Sequence, residues 1–133
     1  MGNLELMKHW EQSSDKNFET MLYNFKGGQF TWSLYFGHLV LEKLFKALYA
    51  KLHADEPHAP RIHNLIVLAK RCNLIVDGDK AQKLTLINTF HIEARYEDQK
   101  QDFYKQCTKK FSKEQIENIK ELREWLKQEL TKE

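Results

Sequence analysis

His91 and Arg95 lie four residues apart in Phe90-His-Ile-Glu-Ala-Arg-Tyr96, a spacing that puts an imidazole and a guanidinium on one face of a helix. An imidazole moves protons and a guanidinium grips phosphate oxygens, so the pair suits a phosphorylated ligand. The competing reading is a structural ion pair for Arg95 and a half-exposed His91. Tyr96, next in line, either stacks on a base or caps the core.

A second group of polar residues sits around the only two prolines: His53, Asp55, Glu56, His58 and His63. Imidazoles and carboxylates suit zinc or nickel. Their spacing fits no ligand motif, so no metal is assigned and the loop is read as solvated, with His63 starting or capping a helix. Lys105, Lys109, Lys110 and Lys113 form a short basic run that can meet phosphates. Acidic residues resume at Glu114, Glu117 and Glu121, which favours a solvated face. Glu42, Lys43 and Lys46 rim an otherwise apolar stretch and read as solvated or ion-paired.

These residues need elements to position them, and the apolar pattern supplies helices. Leu34, Leu41, Phe45, Leu48 and Leu52 recur at helical spacing, widened by Tyr35, Phe36, Leu39, Val40, Leu44 and Tyr49; so broad a stripe predicts a central helix from about Gln29–Thr31 to His53. A first helix over residues 3–25 carries Leu4, Met7, Trp10, Phe18, Met21, Leu22 and Phe25, with Asn3 as cap. Gly27-Gly28 turns it antiparallel onto the second. A short third helix spans His63 to Cys72. Asp79 is the expected cap of a fourth helix running to Arg95-Tyr96, followed by a polar break at 97–100 and a short segment holding Phe103, Tyr104 and Cys107. Ser112 and Gln115 read as a capping box opening the last helix, which carries Ile116, Ile119, Leu122, Trp125, Leu126 and Leu130.

The 133 residues, 41% hydrophobic and 30% charged, predict one folded domain over 1–133 that needs no disulfide. β-Branched residues are sparse, so the expected class is all-α: a single up-down helical bundle of four to five helices. No run reaches the length of a membrane span, the N-terminus lacks a signal-peptide layout, and Cys72 and Cys107 read as reduced thiols, which together predict a cytoplasmic location. A net charge of +2 argues against a strongly basic nucleic-acid binder.

Several short elements in order resemble one family. Glu42-Lys-Leu-Phe-Lys-Ala-Leu48 is similar to the second-helix signature of HEPN domains. A proline loop followed by His63-Asn-Leu65, then Ile92-Glu-Ala-Arg-Tyr96, then Trp125-Leu126 continue the likeness over residues 4–130. The resemblance implies a small prokaryotic helical domain that is nucleotide- or RNA-associated and pairs through its helices. It also implies a minimal nucleotidyltransferase partner in a toxin–antitoxin-like system. The ligand-binding candidates are Glu42, Lys43, Lys46, His63, Arg95 and Tyr96, with no cofactor. Trp10, Phe30, Trp32, Tyr35 and Phe36 exceed the needs of one small core and are the expected source of a homodimer seam.

Ribonuclease members of that family carry an arginine followed, after four to six residues, by a histidine. None of Arg61, Arg71, Arg95 and Arg123 is so followed. The chain therefore reads as a non-catalytic binding module. Two alternatives stand beside it: a metal-independent endoribonuclease built from His91, Arg95 and His63, and a purely structural helical adaptor.

Overall fold

The computed structural model describes residues 3–133, apart from the side chains of 97–99. Among the described residues six helices follow in order: α1 (Asn3–Lys26), α2 (Phe30–Leu52), α3 (Leu65–Arg71), α4 (Gly78–Glu93), α5 (Glu97–Gln106) and α6 (Lys109–Thr131). The all-α class holds, but the count exceeds the expected four to five, because the segment around Phe103 closes into a helix of its own. The stretch expected as a polar break at 97–100 is the first turn of that helix.

Four long helices form the up-down frame. Ser33 Oγ donates to Met21 O at 2.7 Å near the Gly27-Gly28 turn, and Ser14 Oγ donates to Val40 O at 2.8 Å farther along, so α1 and α2 run antiparallel. Gly28 adopts φ +79°, the left-handed turn that a glycine takes without strain. Lys83 on α4 reaches Glu121 on α6, while Phe90 meets Phe111, which fixes those two as antiparallel as well. The short helices α3 and α5 bridge the frame.

α2 is the spine. Leu34, Val40, Leu41, Leu44, Phe45 and Leu48 are buried, and helices α1, α3, α4, α5 and α6 all pack on it. Ser13-Ser14-Asp15, which interrupts the apolar stripe of α1, is a set of joints. Ser14 bonds α2, Ser13 accepts a hydrogen bond from Lys43, and Asp15 pairs with Arg123 and Lys127 of α6. Lys51 of α2 donates to the last carbonyls of α6, Glu129 at 3.1 Å, Leu130 at 3.0 Å and Lys132, capping that helix from another one.

Four local expectations are corrected. Asn3 does not cap α1: it is the first helical residue, and its amide donates to the carbonyls of Ala50, His53 and Glu56 beyond α2. The cap of α3 is Asn64, whose side chain accepts from Ile66 N and Val67 N, not His63. α4 is entered from Asp77, while Asp79 pairs with Lys83 inside the first turn, and the helix stops at Glu93 rather than at Tyr96. α6 opens one turn earlier than the Ser112 box, with Thr108 Oγ1 accepting from Phe111 N at 3.1 Å; Ser112 is fully buried within the helix.

Gly37 lets α2 approach α6 and α1 closely. A Cβ there would collide with Ile119 Cδ1 of α6 and lie 3.1 Å from Met21 Sδ of α1. Overpacking costs about 1–3 kcal/mol, against about 1 kcal/mol of gained helix propensity. Gly37→Ala is therefore expected to lower the urea midpoint. In an Ile119→Val background, which removes the colliding methyl, the same change should lose its cost; equal destabilisation in both backgrounds contradicts the packing account.

Candidate functional site

Successive turns of α2 present Tyr35, His38, Glu42 and Lys46 toward the loop before α3 and the C-terminal half of α4. His38 and Glu42 are almost wholly buried, and Lys46 is 6% exposed. Charges so placed must be paired. Lys46 Nζ donates to Glu42 Oε2 at 3.0 Å, and His63 Nδ1 lies 3.0 Å from Glu42 Oε1. Trp10 covers the Lys46 ammonium, 5.3 Å from ring centre to nitrogen.

The loop is tied down at both ends of this contact. His38 Nε2 lies 3.0 Å from the His63 carbonyl, and Leu65 N donates to Asn88 Oδ1 of α4 at 2.9 Å. A carbonyl only accepts, so His38 Nε2 carries the proton and its Nδ1 bears a lone pair. By the same reasoning His63 Nδ1 donates to the carboxylate. His91 Nε2 accepts from Arg95 Nη1 at 3.4 Å. The His91 ring lies between Tyr35, at 5.7 Å, and His63, at 4.5 Å, both near parallel.

Burial dominates the electrostatics. It drives the His38 imidazole down to about 4, against the pull of the Glu42 carboxylate. His91 is lowered too, first by burial and then by charge on His63. For Glu42 burial pushes the carboxyl up, but the Lys46 charge and the hydrogen bonds from Lys46 and His63 outweigh it and hold the pKa below its ordinary value.

Of the residues singled out in the sequence, Glu42, Lys46, His63, His91 and Arg95 therefore converge, although they come from three separate segments. Lys43 does not: one step along α2 from Glu42, it faces α1 and donates to Ser13 Oγ at 2.7 Å. Nor does Tyr96, which stands at the head of α5 with 54% of its surface exposed. The loop ligands do not gather either. His53 Nε2 donates to Arg71 O and stacks on Tyr49, and Asp55, Glu56 and His58 are exposed, so only His63 turns inward. Lys105, Lys109, Lys110 and Lys113 are all exposed.

Three participants escaped the sequence reading: His38, Asn88 and Tyr35 as a ring neighbour. For His38 a signal existed, since His38, Glu42 and Lys46 recur every four residues through the most apolar helix of the chain. A polar ladder inside such a stripe is a network rather than a rim.

A cavity of about 440 Å³ lies between the start of α2 and α5, lined by Phe30, Trp32, Lys100, Tyr104, Lys105 and Cys107 among others and by none of the cluster residues. Trp32 meets Tyr35 edge-on at 5.6 Å, so a run of rings, Trp32–Tyr35–His91–His63, links the cavity to the polar cluster.

The family model of the HEPN domain matches residues 7–130, nearly the whole chain. The chain belongs to the HEPN domain family. No curated protein and no solved structure matches it. Membership supports a nucleotide- or RNA-associated module, and no helix among the described residues is long and apolar enough to cross a membrane. In this HEPN domain the four elements of the expected signature have distinct physical roles. Glu42 and Lys46 are the buried pair, His63 closes on it, and Arg95 engages His91. Trp125 packs edge-on against Phe45 at 6.4 Å beside the fully buried Leu126.

The lowered His38 pKa fixes a pH dependence. The unfolded imidazole takes up a proton near pH 6.5 while the folded one resists until about 4. The unfolded state binds more protons in that window, so stability is full above it and falls as pH drops through it. The loss is on the order of 3 kcal/mol. Urea midpoints measured from pH 7 to 4 should fall, and His38→Gln should flatten the decline; an equally steep decline in that variant would rule His38 out as its source.

Proposed function

We propose that this HEPN domain is a non-catalytic module that holds the phosphate of a nucleotide or a short RNA at Arg95, His91 and His63. Bases would lie along the Trp32–Tyr104 cavity. The observation that carries this reading is the continuity of the ring series with a cationic end, Arg95 lying 3.4 Å from His91. Aromatic faces stack on bases without regard to sequence, and a guanidinium supplies the fork that phosphate oxygens accept. Lys105, at the cavity rim, and the exposed Lys109 and Lys110 extend the positive surface. Lys43 and Tyr96 lie outside this ligand set.

The domain acts as a homodimer in this reading, with Trp32 (39% exposed) among the aromatics available to a seam. Its protein partner is a minimal nucleotidyltransferase, in a toxin–antitoxin-like pairing in the cytoplasm of a prokaryote; the family resemblance is what supports that part. A metal-independent endoribonuclease is the second reading. It is favoured by one observation: His63, His91 and Arg95 meet in space although their order in the chain is reversed.

Fluorescence anisotropy with a labelled single-stranded RNA, run in EDTA, separates the two. Binding should weaken about tenfold in Arg95→Ala, the loss of one charged hydrogen-bonding group, and fall with added salt. The RNA should emerge intact. Absence of RNA and nucleotide binding would sink the first reading, and cleavage that disappears in His91→Ala would establish the second. Sedimentation of the same samples should give the mass of a dimer; a monomer at high concentration would remove the seam.

A further inference from the structure

His38 Nδ1 is a buried nitrogen with no hydrogen-bond partner, and it faces Glu42 Oε1 at 3.7 Å. Because Nε2 is engaged by the His63 carbonyl, the atom presented to the carboxylate is a lone pair. An acceptor therefore faces an acceptor across 3.7 Å in the interior, with the Asn88 side chain as the other polar group near the His38 ring. Around the same oxygen, the ligand-capable atoms of Glu42, His63 and His91 all lie within 4.8 Å of one another. His38 Nδ1 stands outside that group of three and meets only its carboxylate, from the buried side.

We propose that Glu42 Oε1, His63 and His91 form a binding site for one divalent transition-metal ion of the zinc, cobalt or nickel class, with His38 Nδ1 behind the carboxylate on the buried side. Imidazole nitrogens with a single carboxylate oxygen match these borderline ions and not magnesium or calcium, which prefer oxygen alone. Metal–nitrogen distances of about 2.0–2.1 Å place tetrahedral ligand atoms roughly 3.3 Å apart. The His63–Glu42 separation of 3.0 Å is already near that value, and the atoms of the three residues, all within 4.8 Å of one another, close to it by small side-chain rotations. The ion replaces the proton on His63 Nδ1, and the His63–His91 stack opens so that their lone pairs converge. His63 has the freedom to turn, its side chain being 58% exposed.

Hydrogen bonds that orient these side chains from behind are already in place. The His63 carbonyl holds His38 by its far nitrogen, and Lys46 occupies Glu42 Oε2, leaving Oε1 as a single donor. The site differs from the histidine-rich loop noted in the sequence, since His53 and His58 take no part in it. Lys46 and Arg95 leave the surroundings positive, so the bound ion would carry an anion such as phosphate or hydroxide on its outward side. The site does not depend on the proposed RNA binding, and metal uptake can be read with no nucleotide present.

Isothermal titration of the full chain, stripped with EDTA, tests it with zinc alone in a phosphate-free buffer. One ion per chain is expected, with magnesium giving no heat, and cobalt should show the visible bands of a tetrahedral nitrogen–oxygen set. His63→Ala, with its helical circular dichroism checked to be native at the temperature of the titration, should weaken zinc at least tenfold. Glu42→Gln should do the same, while His58→Ala should bind as the wild type does. Lack of stoichiometric zinc binding overturns the site, as does unchanged affinity in His63→Ala or lost affinity in His58→Ala.

Discussion

The Glu42 carboxylate is the constraint on which the rest of the structure depends. At 4% exposure it has lost most of its water, and an ion taken into a protein interior costs several kcal/mol unless other groups replace that water. Lys46, one turn farther along α2, supplies one replacement. The other comes from His63, which lies outside any helix and must be brought in by the chain. The loop from 53 to 64 therefore cannot wander. Asn64 starts α3 beside the contact, the His63 carbonyl is taken by His38, and Leu65 N is taken by Asn88. A single buried charge thus fixes where α3 begins and how α4 faces α2.

The same logic explains polar residues that break the apolar stripes. Ser14 and Ser33 use their hydroxyls on carbonyls across the α1–α2 seam, and Asp15 gathers Arg123 and Lys127. Two of these contacts lock consecutive helices and two join α1 to α6 at the far end of the chain, so each fixes how one element sits against another. Lys51 illustrates this most directly, since the C-terminal carbonyls of α6 depend on a side chain of α2. The up-down frame is held by apolar burial, but its register is held by these polar joints.

How much of this was legible in the sequence follows from which forces are local. The long helices are, because their apolar period is written in consecutive residues, and the family signature reinforced it. Helix starts are less so. Ser112 with Gln115 satisfies the pattern of a cap as well as Thr108 does, and only packing, which buries Ser112 against the core, decides between them. The site is legible as ingredients and not as an assembly. Glu42, Lys46, His63, His91 and Arg95 each stand out, but their meeting depends on how a loop returns across α2. Lys43 belongs to the same signature and rim as Glu42 and Lys46, yet one residue along a helix turns the side chain about 100° away, and it faces α1. Tyr96 was included on the expectation that α4 would continue, and it stops at Glu93.

The assembled group is polarised from inside to outside. Its buried side is rich in acceptors, with the Glu42 carboxylate and the bare His38 nitrogen facing one another. Its outer side is rich in donors, with Arg95 against His91 and the exposed His63 ring at the rim. An interior that seeks positive charge beneath a rim that seeks negative charge fits a cation below and an anion above more naturally than either alone. The neighbouring rings then matter for a physical reason: they extend from the rim, where an anionic group would sit, toward the cavity under Trp32, where an attached base would find an apolar face. A purely structural ion pair between Glu42 and Lys46 would account for neither the unpartnered nitrogen nor the direction in which the rings run.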